Sequence, residues 1–253
     1  MSPKKLKVQS ENQWFQRAEV LKRNRKKRHH HRQFWVEGVA SINQLAVNDS
    51  GEIAAFLYTP ERPLSEWAQQ ILQTSRARCH LELSGVLMEN LSDKEDTSEL
   101  LAIVEMPPDD PSRIPIREDA LILLADRPAS PGNLGTLIRS CEALGAHGIA
   151  VTGHAADLFD PRTIRAAAGS FFALPSTRVS SYEVLSAWLQ EMRRKLPDLQ
   201  IVGASAQAQI NVASCAFTRP TVLIVGNESS GLSRRHRDLC DNMVAIPLTG
   251  TAP

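Results

Sequence analysis

The stretch ALILLADRPASPGNLGTLIRSCEALGAHGIAVTG, residues 120–153, holds three kinds of sequence in succession. ALILLA is wholly apolar, as in a strand buried on both faces of a parallel sheet. LADRPASPGNLG is a loop with Gly132 and Gly135, and the apolar spacing from Leu134 onward predicts a helix. GIAVTG then starts a second apolar strand. Strand, glycine loop, helix and strand in this order specify an α/β unit with a loop at the carboxyl end of its first strand, where ligands of open α/β sheets bind. On spacing alone, Gly132 makes a turn, Asn133 caps the helix and Gly145 ends it. The loop lacks the G-x-G-x-x-G of dinucleotide sites and the G-x-x-x-x-G-K-[ST] of phosphate loops. It places Arg139 on the second turn of its helix, and the pattern leaves the role of that arginine open.

The pattern continues on both sides. Downstream, GIAVTG, LQIVGAS, TVLIVG and MVAIPL predict strands, and PRTIRAAAG, SYEVLSAWLQEMRRKL and SRRHRDLC predict helices. Upstream, FWVEG, EIAAFLYT, CHLEL and LLAIVEM predict strands, with helices at VASINQLAV and at LSEWAQQILQTS, where Ser65 stands near the start. Between the halves, MPPDDPSRIP (106–115) carries four prolines and no periodicity. It separates a first domain over 33–106 from a second over 118–253, with the linker at 107–117.

Composition narrows the functional classes. No apolar run approaches the roughly 20 residues needed to span a bilayer. The polar, basic start carries no secretory pattern, and the four cysteines, Cys79, Cys141, Cys215 and Cys240, are scattered, so a reducing cytoplasm fits best. The net charge of +1 conceals an asymmetry. Residues 1–32 hold eleven Lys and Arg against Glu11 and Glu19, a net of +9, and the remainder is −8. This head is expected to form a basic arm or helix, with Arg23, Arg25, Lys26, Lys27, Arg28 and Arg32 available to an RNA backbone. Three consecutive histidines, His29 to His31, point in different directions on a helix and make no metal site, so no metal is expected. Trp14, Phe15, Phe34 and Trp35 are assigned to the core.

A second loop, GNESSG after TVLIV, sets Glu228 among glycines at a strand end. A carboxylate there is the wrong sign for a nucleotide phosphate, so the ligand at that point is neutral or cationic. The order N-x-G with an arginine shortly after (Asn133, Gly135, Arg139), then GNE-x-x-G, then IPL-x-G, resembles the SpoU (TrmH) branch of the SPOUT RNA methyltransferases. PRTIRAAAGSFFALP looks like the family's segment between its first two motifs. LKRNRKKRHHHRQFWVEG resembles the opening of the ribosomal-protein-like substrate domain that many members carry.

That resemblance implies S-adenosylmethionine as cofactor, a trefoil knot near the C-terminus, a homodimer with active sites at the subunit interface, and methyl transfer to a ribose 2′-hydroxyl of RNA. It implies that Ala204, Gly226, Asn227, Gly231, Ile246 and Leu248 line the cofactor pocket, largely through main chain. The family assigns activation of the hydroxyl to the arginine matching Arg139. A permanently protonated guanidinium is better suited to binding the adjacent phosphate and stabilising the developing alkoxide. Asn133 would orient the loop, and Glu228 would sit close enough to position Arg139. A substrate domain ahead of the knotted one points to ribosomal RNA rather than tRNA. The family's third motif runs on beyond IPL-x-G into a Ser-Leu-Asn-Val-Ser segment and a closing helix. A chain ending IPLTGTAP is therefore expected to be either a fragment with weak cofactor binding and an incomplete knot or an inactive protein. Two other readings remain. One is a non-catalytic RNA-binding or ribosome-assembly protein with the same fold. The other is a dinucleotide oxidoreductase, disfavoured by the absent fingerprint.

Overall fold

The computed structural model describes residues 3–48, 51–94 and 96–247. The chain divides into two compact units, and the second contributes one segment to the first.

The first unit starts with strand β1 (Lys4–Val8), helix α1 (Gln13–Arg23) and helix α2 (Arg25–His31), followed by β2 (Gln33–Glu37) and α3 (Val39–Asn48). It continues through β3 (Ile53–Tyr58), α4 (Glu66–Thr74), β4 (Cys79–Leu83), α5 (Gly85–Leu91) and β5 (Leu101–Glu105). The sheet order is β1-β4-β3-β5-β2. Helix starts are set locally: the side chains of Asn12, Asn24, Ser65 and Ser84 accept N–H bonds from the first turns of α1, α2, α4 and α5.

The basic head is not a free arm. Its KKLKV run is an edge strand, parallel to β4 from Lys4 opposite Cys79 to Val8 opposite Leu83. Lysines at an edge protect it from pairing with another chain. Val8 and, on α1, Phe15, Ala18 and Leu21 join Trp35 in the core, with Trp14 packed against it.

In the second unit the proline-rich stretch is packed rather than loose. Asp110 caps a 3₁₀ turn at Pro111–Arg113, Ile114 is buried, and the Arg113 guanidinium donates to the Ser176 carbonyl at 3.1 Å. Then come β6 (Leu121–Asp126), α6 (Pro131–Ala143) and β7 (Gly148–Thr152). The chain now leaves for the first unit: Phe159–Ala173, carrying α7 (Pro161–Ala166) and α8 (Ser170–Ala173), is compact with it. There Phe34 meets the rings of Phe159, Phe171 and Phe172 at 5.1–6.2 Å between centroids. Arg165 pairs with Asp93 at 3.3 Å. These fifteen residues lie within 118–253 in sequence and group with the first unit in space, because their packing partners are distant in sequence.

Back in the second unit follow β8 (Ser176–Val179), α9 (Tyr182–Lys195), β9 (Gln200–Ala204), the short β10 (Ile210–Asn211), β11 (Thr221–Val225), α10 (Arg234–Arg237) and β12 (Asn242–Ala245). All seven strands are parallel, in the order β10-β12-β9-β11-β6-β7-β8. The buried side chains Leu185, Leu189 and Met192 of α9 share a core with Ile122, Leu124, Ile201, Val222 and Ile224 of the sheet. Among the described residues no helix is long and apolar enough to cross a membrane. The knot and the third motif depend on the segment from Leu248 onward, which lies outside the described residues.

Candidate active site

β6 and β11 are neighbours, paired from Thr221 opposite Leu121 to Val225 opposite Ala125. Their loops therefore leave the sheet side by side, and this is what brings Asn133 to Glu228 across 95 residues of sequence. The Asn133 amide donates to one Glu228 carboxylate oxygen at 3.0 Å. The backbone N–H groups of Ala129 and Ser130 donate to the same carboxylate at 3.0 and 3.4 Å. Burial works to raise the Glu228 carboxyl, but these donors outweigh it and hold the group below the ordinary glutamate range.

Two expectations need correction here. The helix begins at Pro131, not Leu134, and Ser130 is its N-cap, accepting the Asn133 N–H at 3.4 Å. Asn133 is a helical residue whose side chain is committed to Glu228. Nor does Glu228 touch Arg139: among the described residues Arg139 is exposed on α6 and makes no hydrogen bond or ion pair, and Glu228 acts on the start of the helix that carries it. Gly145, at φ +75°, ends that helix as expected.

The GNESSG loop is folded on itself. Asn227 and Gly231 exchange backbone hydrogen bonds at 3.1 and 2.9 Å, and the Asn227 carboxamide oxygen accepts the N–H groups of Ser229 and Ser230. Gly231 has φ +63°, a conformation that favours glycine. A Cβ on Gly226 would collide with the Gly231 backbone and Leu232 N. Both glycines are thus required to close the turn at the end of β11.

Two site residues escaped the sequence reading. The buried Asp126 accepts both Arg127 Nε at 3.0 Å and the Ser233 N–H at 2.7 Å. Arg127, at φ +58°, also donates to the Gly231 carbonyl at 3.1 Å, and its own carbonyl accepts the Asn227 amide at 2.8 Å. The pair braces the first loop against the second. Burial alone would raise the Asp126 carboxyl; Arg127 and the Ser233 N–H outweigh it and the net direction is down. His236, wedged between Thr152 Oγ1 at 3.0 Å and Ser233 Oγ at 2.7 Å, is pushed down by burial against the pull of Asp126. An acid-base pair at the end of the ALILLAD strand was the available signal.

The remaining candidates sit at adjacent strand ends. Ala204 closes β9, which lies between β11 and β12, and Ile246 follows β12 with 62% of its surface exposed. Leu248 lies outside the described residues. Ala204, Gly226 and Ile246 offer peptide groups and apolar surface and no charge, the donor set a neutral adenine and ribose require.

On the first unit, Arg23 pairs with Glu19 at 3.2 Å, and Arg32 donates to the Pro107 carbonyl at 2.7 Å. Arg25 is half-buried. Arg28 is a correction: it is 2% exposed, donates to the Leu21 carbonyl at 3.0 Å and pairs with Asp160 at 3.4 Å, so it cannot meet an RNA phosphate. Lys26 and Lys27 are exposed and make no side-chain hydrogen bond or ion pair among the described residues.

The family model of the SpoU rRNA methylases matches residues 120–253, and that of the SpoU L30e-like domain matches residues 12–102. The chain belongs to the SpoU rRNA methylase family. A 23S rRNA (uridine(2479)-2′-O)-methyltransferase of Streptomyces viridochromogenes is 43% identical over 99% of this SpoU chain and 87% of its own length. The crystal structure of the SpoU methyltransferase AviRb from the same organism, in complex with AdoMet, superposes with a TM-score of 0.88 at 43% identity over 96% of this chain and 91% of that one. An AdoMet-bound rRNA methyltransferase from Sinorhizobium meliloti does so at 0.84 and 25% identity, over 98% of this chain and 91% of its own.

Proposed function

We propose that this SpoU chain is an S-adenosylmethionine-dependent RNA 2′-O-methyltransferase acting on ribosomal RNA of the 23S type. The observation that carries the reading is the Glu228 bridge, which ties the start of the Arg139 helix to a glycine loop whose strand neighbours present uncharged main chain. Bound S-adenosylmethionine supplies an electrophilic methyl group on a sulfonium. Ala204, Gly226, Asn227, Gly231 and Ile246 hold it by main chain and apolar contact. Arg139 is unpaired and exposed because its partner is the substrate: it holds a phosphate beside the target ribose and stabilises negative charge developing on the 2′-oxygen. Glu228 and Asn133 position it by fixing the first turn of α6. The absence of a phosphate loop follows from a cofactor without phosphates.

Lys26, Lys27 and the exposed arginines of the head supply part of the electrostatic attraction for RNA. Pairing of two copies and a cytoplasmic location belong to the same proposal; sedimentation velocity tests the first. Incubating the protein with tritiated cofactor and unmodified 23S ribosomal RNA transcribed in vitro should label the RNA. Alkaline hydrolysis should then leave one phosphodiester uncleaved. Label on a base, or none at all, would remove this function.

A further inference from the structure

The basic head was the obvious place to look for RNA contacts, yet much of its charge is spent inside the first unit. The second unit holds a compact group of cations that is not. Helix α10 is one turn, Arg234–Arg237, and Arg234, Arg235 and Arg237 are all exposed. Among the described residues none of the three guanidiniums makes a hydrogen bond or ion pair. On α9 of the same unit, by contrast, cations are matched: Arg193 pairs with Asp241 at 2.9 Å and Arg194 with Glu191 at 2.8 Å. Three adjacent arginines repel one another, and such a turn persists only if something fixes it. Here the fourth residue does so: His236 is buried between Thr152 and Ser233, and the Ser233 N–H is held by buried Asp126. The turn is anchored at its base, and at its rim the three guanidiniums carry no hydrogen bond or ion pair among the described residues.

Beside it, beyond the carboxyl ends of β6, β7 and β8, lies a cavity of 290 Å³. Its wall includes Tyr182, Ser180, Ser181 and Arg235, with the Arg235 guanidinium 5.5 Å from the centre of the Tyr182 ring. An arginine over an aromatic ring, flanked by hydroxyls, suits a nucleotide unit: the plane stacks a base and the cation meets a phosphate. Glu183, the residue after Tyr182, is a neighbouring acid that feels Arg235, and the carboxylate in the cavity wall, Asp126, is committed to Arg127 and the Ser233 N–H. Asp238, the residue after the helix, is a further nearby acid and leaves the turn with a clear positive excess.

We propose that α10 and the adjoining cleft form an RNA-backbone site on the methyltransferase unit, separate from the basic head, with Arg234, Arg235 and Arg237 each meeting a phosphodiester. This rests on the RNA-modifying reading above and adds the surface that seats the strand. Arginine suits the task because its planar fork takes two oxygens of one phosphate.

The test is a triple replacement, Arg234→Gln, Arg235→Gln and Arg237→Gln, with the matching Arg→Lys triple as the charge-retaining control. Binding of a fluorescein-labelled single-stranded RNA of mixed sequence is followed by anisotropy across a salt series, and cofactor binding by calorimetry. Three lost phosphate contacts should lower the slope of log affinity against log salt by about two and weaken binding roughly 10- to 100-fold near physiological salt. Cofactor affinity should stay within about twofold, and the lysine triple should keep most of the slope. An unchanged slope, or a lysine triple as weak as the glutamine one, overturns the proposal. Wild-type protein that binds RNA with the expected arginine dependence but transfers no methyl group would overturn the function and leave this site standing.

Discussion

Arg28 and Arg139 look alike in sequence, each an arginine on a short helix near other polar residues, and the fold uses them in opposite ways. Arg28 belongs to the most basic run of the chain and ends up buried, its charge matched by Asp160 and by backbone carbonyls. Arg139 stands alone on α6 and remains exposed and unmatched. The density of positive charge in a segment therefore says little about which cations are free to act. What decides it is whether an acid from elsewhere in the chain reaches them. The first unit supplies such acids through Asp93 and Asp160. The second withholds them from Arg139 while it spends Glu228 on the helix start.

The contrast can be broken by experiment, most sharply at Arg139. Arg139→Ala should lower methyl transfer by about 100- to 1000-fold, the usual loss when a donor to developing negative charge is removed, with an unchanged melting temperature. Arg139→Lys should recover only a small part of it. Turnover near wild type in the alanine variant would end the assignment.

Arg28→Ala should do the reverse. It removes a buried guanidinium that donates to the Leu21 carbonyl and to Asp160, which keeps its bonds to Arg162, and the lost charged hydrogen bonds and packing should cost about 3 kcal/mol of stability. For a protein of this size that is a fall in Tm of roughly 6–12 °C. Activity at low temperature should stay close to wild type, and loss of RNA affinity without loss of stability would restore Arg28 to the RNA surface.

Glu228→Gln lies between the two. It keeps the shape of the bridge but removes the charge that two backbone N–H groups and Asn133 converge on, a loss of about 1–2 kcal/mol. Methyl transfer should fall about tenfold, with Tm lower by only about 2–5 °C because the loop is exposed. A large Tm drop with normal turnover would make the bridge purely structural.

The smallest effect is on acid stability. Asp126 is held below its ordinary value of 3.8 in the folded state, so the unfolded chain takes up its proton first as pH falls. Its contribution is complete above that value and is lost as pH drops below it towards the folded value. His236, pushed below 6.5 by burial, acts in the same direction at higher pH: the unfolded imidazole protonates first and stability declines below 6.5. Denaturant titrations from neutral to acid pH should show both phases in the wild type. Asp126→Asn should flatten the lower one; an unaltered acid limb would mean that Asp126 is not a stabilising carboxylate.

What was legible in the sequence was whatever lies close together in it. The ALILLAD, TVLIV and LQIVGA runs announce buried parallel strands because both faces are covered, and the residues needed at their ends follow directly. Asn133, Glu228 and the glycines stood out because tight turns at strand ends restrict residue choice. The KKLKV strand was not legible, since an edge strand with one face in water alternates lysine with leucine and valine and resembles a charged tail. The fate of Arg28 was invisible for a different reason: Asp160 is 132 residues away. The helix cap was read at Asn133 and falls at Ser130, because serine and asparagine cap equally well and only the backbone path distinguishes them. Asp126 and Arg127 were passed over because a neighbouring acid and base look like ordinary surface charge until their burial is known.

The excursion of Phe159–Ala173 into the first unit has a consequence for how such proteins can be recombined. A unit made of one continuous stretch can be exchanged between relatives by a single crossover in the gene. Here a crossover at the proline-rich stretch would transplant the first unit without its aromatic lid, pairing Phe34 with foreign rings and Arg28 with whatever stands at position 160. An exchange of the first unit should therefore keep its fold only when the segment after β7 travels with it, because the two share one core.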